Sequence, residues 1–250
     1  MENKLASEIQ NITEEAKEMF LKTSDRLFLE RVEKEHKLAK QYYGREILEL
    51  LQNIDDAYDP GCNQTCEACF ELSDDCFIVS NYGKPFTMET LQRLCQGSVS
   101  SKEGKYIGSK GIGFRSILNW SNKVEIYSQS GESDYIAVRF SSDYANKKLE
   151  EIKEYDHIKT QMEELKRKNI TPSFPIFKAP EPIEPIEKTY DTVIKIFIND
   201  EIKVKIRESV KNFDKYSLLF LPNVQKISFK DNSETTTVYT KKRDTETKDK

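Results

Sequence analysis

Five of the nine glycines in this chain fall within residues 97–113, interleaved with serine and lysine. Glycine costs roughly 1 kcal/mol per residue relative to alanine inside a helix and weakens strands, so this density demands a loop. The loop runs into an apolar stretch, residues 114–120, that reads as helical. Free glycine amides leading into a helix N-terminus make a cradle for an anion. The spacing does not fit G-x-x-x-x-G-K-[ST], and no apolar strand leads directly into it, as a dinucleotide fingerprint requires.

The remaining elements are arranged around that loop. Residues 1–58 are predicted to be mostly helical, with Ile47, Leu50, Leu51, Ile54 and Tyr58 forming an apolar stripe that Pro60-Gly61 stops. Residues 65–81 read as a hairpin turning at Ser73-Asp74-Asp75, and 124–128, 135–140 and 192–198 read as strands. A charged helix is expected over 145–168 and an extended surface connection over 171–185, which carries five prolines. A helix over 208–221 and paired strands over 224–230 and 236–240 complete the pattern, with a polar, frayed end.

Composition excludes more than it assigns. Basic and acidic residues nearly balance, 39 against 43, which gives no general electrostatic case for nucleic acid. No stretch approaches the roughly 18 apolar residues of a membrane helix, and the charged start is no signal peptide. Five cysteines in 250 residues suit reduced thiols and a cytoplasmic location better than a disulfide framework. With only His36 and His157 present, histidine-based metal sites and Ser-His-Asp chemistry have little to work with.

Three segments carry candidate chemistry. On a helix, Glu46, Glu49, Asn53 and Asp56 share one face, roughly opposite the apolar stripe. That is either an ordinary solvated face or a carboxylate and an amide projecting into a cleft, with Asn53 suited to magnesium and Glu49 to a water. Ile78-Val79-Ser80-Asn81-Tyr82-Gly83-Lys84-Pro85 is either a plain strand-to-helix turn or a strand end that presents Asn81 to a base edge. The third is the glycine loop itself, where Lys102 is able to reach phosphate.

Taken together in this order, E-x-x-x-N-x-x-D-A, N-x-G-x-P-F and G-x-x-G-x-G-F resemble the GHKL ATPases: gyrase B, the large heat-shock chaperone, histidine kinases and MutL. Within that superfamily, residues 42–57, 80–87, 97–117 and 217–227 look most like sacsin-type ATP-binding domains. The resemblance covers roughly residues 41–230 and implies one domain there with an insertion at 145–188, after an N-terminal helical extension (1–40) and before a polar tail (231–250) leading to a following domain. It implies a Bergerat fold, an α/β two-layer sandwich with a mixed sheet, helices on one face and a flexible lid over ATP. By position it implies Glu49 as general base, Asn53 as magnesium ligand and Asp56 near base and sugar. Gly83, Gly108, Gly111 and Gly113 fall on the family's glycines, with Ile112 and Phe114 beside them. Thr192 falls on its base-proximal threonine, and Lys102 and Lys110 are lid candidates for the γ-phosphate. Two positions depart from the pattern: Asn81 replaces the adenine-binding aspartate, and Asp191 replaces a glycine, the second expected to be minor.

The activity implied is magnesium-dependent ATP binding and slow hydrolysis as one module of a larger chain, with ATP and ADP as ligands. Downstream domains and a nucleotide-dependent second copy are the expected partners. The alternatives are a nucleotide-gated module without useful turnover and a chaperone-like ATPase. Cys62, Cys66, Cys69 and Cys76 briefly suggest zinc, but Cys66 and Cys69 would point to opposite faces of a strand. His36, in Lys34-Glu35-His36-Lys37, does not resemble a phosphoacceptor motif. Trp120 is expected in the core.

Overall fold

The computed structural model describes residues 2–23, 26–96, 113–130, 134–232 and 234–241. Alternation of Ala68, Phe70 and Leu72 with more polar neighbours makes β1 (Glu67–Leu72), and β2 (Cys76–Asn81) returns antiparallel beside it. Further along the chain come β3 (Lys123–Ser130), β4 (Asp134–Ser141), the two-residue β5 (Glu181–Pro182), β6 (Thr192–Phe197), β7 (Lys226–Asp231) and β8 (Glu234–Thr240). They form one eight-stranded sheet in the order β5-β4-β3-β6-β2-β1-β7-β8. Only the β1–β7 pair is parallel among these neighbours, so the sheet is mixed.

The period-two side-chain alternation separates the two sheet faces. Phe70, Phe77, Val79, Ile126, Val138 and Ile196 point to one side, where α3 (Glu46–Asp56) supplies Leu50, Leu51 and Ile54. The same core takes Leu91 and Leu94 from α4 (Met88–Gln96), and Ile202 and Ile206 from α7 (Asp200–Lys211). Trp120 is buried there against Phe77. This is an α/β fold with helices packed on a mixed sheet, as the sequence pattern predicts.

The opposite face is covered in part by the proline-rich stretch, which is not the surface connection expected of it. Ile183, Ile186 and Tyr190 pack on Tyr127, Ala137 and Val193, and Tyr135 Oη donates to the Ile186 carbonyl at 2.7 Å. Upstream in the same stretch, Phe174 and Phe177 are fully buried. Proline fixes the backbone but leaves the residues between prolines free to present apolar side chains.

The charged 145–168 segment is two helices, α5 (Ser142–Ile152) and α6 (Asp156–Arg167). The break lets Leu149, Ile152, Ile158 and Leu165 close on Phe20 of α1 (Glu2–Lys22) and Phe28 of α2 (Leu27–Gln41). The N-terminal segment and the insertion therefore share one apolar cluster, and Ile9 of α1 also joins the main core. The helix expected over 208–221 starts earlier and stops earlier, because Asn199 caps Ile202 N–H to open α7 and Asp214 caps a separate 3-10 helix, Lys215–Phe220. The expected strands over 224–230 and 236–240 pair as β7 and β8, the latter running from Glu234 to Thr240. Among the described residues no helix is long and apolar enough to cross a membrane.

Candidate functional site

The site is built around α3. Its apolar stripe seats it on the sheet, and its C-terminal end is locked by hydrogen bonds. Asp55 Oδ1 accepts the amides of Asn223 and Val224, both at 2.8 Å, and Asn223 Nδ2 donates to the Asp55 carbonyl at 3.1 Å. Lys84 N–H then donates to the carbonyl of Ala57 at 2.6 Å. That approach needs Gly83, whose φ of +138° disfavours a side chain and whose β-carbon would collide with the Ala57 carbonyl oxygen. The Gly83 amide donates to Asp191 Oδ2 at 2.9 Å, so the residue that departs from the family pattern ties β6 to the turn after β2.

Sheet register sets the next feature. Asn81 on β2 pairs with Thr192 on β6, and Thr192 pairs with Ser128 on β3, so three polar side chains form a row across the strands. Thr192 Oγ1 and Ser128 Oγ are 2.8 Å apart, and Ser128 Oγ also reaches the Asp191 carbonyl at 3.2 Å. A serine has one hydroxyl proton; given to Asp191, it leaves Thr192 donating to Ser128 and keeping its lone pairs. Asn81 is buried, and its Nδ2 donates to the Tyr82 carbonyl at 3.1 Å. With that nitrogen engaged, the side chain offers its carbonyl as an acceptor.

Between α3, this row and α4 lies a cavity of about 500 Å³. Asn53, Asp56, Asn81, Phe114 and Thr192 line it together, with apolar walls from Leu50, Ile54, Val79, Ile126 and Ile194. Lys84, Thr87, Thr90 and Arg93 complete the lining from the turn and α4. Asn53 Nδ2 is buried with no hydrogen-bond partner, an amide left ready for a ligand. Rotating the amide by half a turn exchanges its nitrogen for its oxygen.

Glu49 lies one turn before Asn53. Its carboxylate is nearly buried, pairs with Arg45 Nη2 at 3.2 Å, and is not among the groups lining the cavity. Burial raises the Glu49 pKa, and the Arg45 charge opposes that shift. Gly113, the first residue of the 3-10 helix Gly113–Asn119, packs against the carboxylate so closely that any β-carbon there would overlap it. The start of that helix and the candidate base are thus in contact. Glu46 is not on a solvated face: it is buried, accepting from Gly44 N–H and Asn119 Nδ2, each at 3.1 Å.

Lys102, Gly108, Lys110, Gly111 and Ile112, and with them the expected lid, lie outside the described residues. Asp55 and Ser128 are not singled out by sequence as parts of the site, and Asp191 is expected to be a minor departure. The sequence signal for Asp55 is the doubled Asp55-Asp56 before Ala57; for Ser128 it exists only through strand register. Among the described residues no group of three or more His, Cys, Asp or Glu is placed to hold a metal. All five cysteines are free thiols.

No family model matches the chain. An alignment 97 positions long, covering 36% of the chain, is 37% identical to Protein NO VEIN of Arabidopsis thaliana. The match spans 4% of that protein's length.

Proposed function

We propose that this chain is an adenine-nucleotide-binding module of the GHKL type that binds magnesium-ATP and hydrolyses it slowly. The observation that carries the reading is the convergence of Asn53, Asp56, Asn81, Phe114 and Thr192 on one cavity from four separate elements. The volume suits a nucleoside, and the walls are apolar with a few polar groups, as ligand sites generally are. Asn81 and Thr192 present acceptors at the sheet end, suited to the exocyclic amino group of adenine. Asp56 and Lys84 flank the cavity where a sugar would lie.

Asn53 fits a magnesium ligand by chemistry: a single amide oxygen suits an ion that keeps most of its waters and takes phosphate oxygens for the rest. When bound, magnesium would neutralise charge on the phosphates. Glu49, held by Arg45, would accept a proton from water. Gly113 allows the chain after the glycine loop to approach that carboxylate. Because Glu49 pairs with Arg45 and is not among the described residues lining the cavity, a nucleotide-gated module without useful turnover is the second reading.

Calorimetric titration tests the binding step. ATP with magnesium should give a measurable dissociation constant, and Asn53→Ala should weaken it only when magnesium is present. No heat from ATP, ADP or GTP with the wild-type chain overturns the reading. Equal affinity in Asn53→Ala and wild type removes Asn53 as the ligand. Turnover is expected well below about 10 per second, the typical enzyme value.

A further inference from the structure

α4 faces the cavity with a row at three-residue spacing: Thr87, just before the helix, Thr90 and Arg93 all line it. At 1.5 Å of rise per residue, Arg93 lies about 9 Å along the helix from Thr87. Contacts at the two ends of α4 fix how that row runs relative to α3. The turn into α4 begins at the C-terminal end of α3, where Lys84 N–H donates to the Ala57 carbonyl at 2.6 Å. The last turn of α4 lies at the other end. There the Leu94 carbonyl accepts from Arg115 Nη2 at 2.6 Å, and Arg115 comes two residues after Gly113, which packs on Glu49. Arg93, next to Leu94, therefore sits toward the Glu49 end of the cavity. On the nucleotide reading, that is the end where the phosphates would lie.

Among the described lining residues the ionisable side chains are Asp56, Lys84 and Arg93. Asp56 precedes Ala57, and Lys84 is tied to Ala57 through its own amide, so both belong to the end that would hold base and sugar. Arg93 is the described cation that remains for the phosphates. Its side chain is 62% exposed, and Nη2 pairs with Glu89 Oε1 at 2.6 Å one turn back, where Glu89 is 72% exposed. An ion pair this exposed contributes little, because water and salt compete for both charges. A phosphate chain stays anionic even with magnesium bound, and a guanidinium can take two of its oxygens at once through parallel N–H donors. Exchanging Glu89 for phosphate therefore loses a weak pair and gains a strong one.

We infer that Arg93 binds the phosphates of the nucleotide and that Glu89 holds it in reserve until a nucleotide enters. The inference rests on the nucleotide reading and adds to it a residue outside the three sequence motifs.

The test is calorimetric titration of adenosine, AMP, ADP and ATP, with magnesium throughout, into the whole chain as wild type, Arg93→Gln, Glu89→Gln and the double variant. Arg93→Gln should weaken ATP binding about tenfold, as loss of a charged hydrogen bond does, and leave adenosine, which has no phosphate, within about twofold. Glu89→Gln should tighten ATP binding by about two- to fivefold, since the reserve pair no longer competes. That gain should vanish in the double variant. Both side chains are exposed, so the variants should fold, and displacement of bound ADP supplies the adenosine affinity where direct heats are small. Equal ATP affinity in Arg93→Gln and wild type would overturn the inference while leaving the nucleotide reading in place. Adenosine and ATP weakened alike would overturn it too, because Arg93 would then shape the cavity rather than meet phosphate. A Glu89→Gln gain that persists in the double variant, or no gain at all, also counts against it. Failure of the wild type to bind adenosine or any nucleotide is the separate result that removes the nucleotide reading, and the inference with it.

Discussion

The two ends of α3 are built differently. At the C-terminal end, Asp55, Ala57, Gly83 and Asp191 interlock with the chain before β7, the turn after β2 and the start of β6 through bonds of 2.6–2.9 Å. At the N-terminal end, Glu49 has one ion pair, to a half-exposed Arg45, and a glycine for a neighbour. A fully satisfied network rigidifies its surroundings, whereas a sparsely partnered carboxylate is free to exchange partners. The contrast is a division of labour: the end that would recognise a base is fixed in advance, whereas at the other end Glu46 anchors the helix to Gly44 and Asn119 and only the Glu49 carboxylate, which would do chemistry, is held loosely.

That contrast breaks first at Asp55. Asp55→Ala strips the acceptor from the buried Val224 amide and the half-buried Asn223 amide; each such loss costs about 1–3 kcal/mol when buried, so a loss of about 3 kcal/mol is expected in urea unfolding. A change below about 0.5 kcal/mol would mean that the C-terminal network is not a structural lock. Gly113→Ala acts on the other end. Its β-carbon displaces only the flexible tip of Glu49, so the unfolding midpoint should stay near wild type. Phosphate release should nevertheless fall on the order of 100-fold, the lower range of general-base contributions. Wild-type turnover in this variant would remove Glu49 from the mechanism.

Arg45→Gln sharpens the comparison through pH. Burial raises the Glu49 pKa and Arg45 counteracts it, so removing the guanidinium raises the pKa further. A general base works only when ionised, so activity is lost as pH falls through that pKa. The acidic limb of the turnover profile should therefore move to higher pH in Arg45→Gln and return toward wild type in Arg45→Lys. Superimposable profiles would show that Arg45 does not act on the base.

The smallest effect belongs to Asn81. Presenting its amide nitrogen to guanine requires a flip that breaks the bond to the Tyr82 carbonyl, at a cost of about 0.5–1.5 kcal/mol. ATP should bind better than GTP by about two- to tenfold, the factor that energy gives. Asn81→Asp should widen that margin through a charge-assisted bond to adenine, while setting a carboxylate against the Tyr82 carbonyl and lowering stability by about 1 kcal/mol. Competitive titration of the two nucleotides reads the first effect and urea unfolding the second. Equal ATP and GTP affinities in both proteins would show that Asn81 does not read the base.

What was legible in the sequence follows from the range of the interactions. The β1–β2 hairpin and α3 announce themselves by local alternation and helical spacing, and Asn81 and Thr192 individually by motif order. Asp191 was expected to be minor because its work, holding the Gly83 amide, spans 108 positions in the chain. Ser128 looks like any polar strand residue until β3 is registered against β6. The proline-rich stretch misleads because proline content reports backbone stiffness, whereas burial of Phe174 and Phe177 is decided by α1, α2 and the sheet. The single helix expected over 145–168 fails for a related reason: helix propensity does not register the bend that wrapping Phe20 and Phe28 requires.

The most direct test of the division of labour pairs two readings on one variant, Glu49→Ala: affinity for ATP with magnesium, and the rate of phosphate release. The account predicts affinity within a few-fold of wild type, because the C-terminal end of α3 and the cavity are untouched, and no release above background. Wild-type release, or nucleotide affinity lost together with turnover, would contradict it.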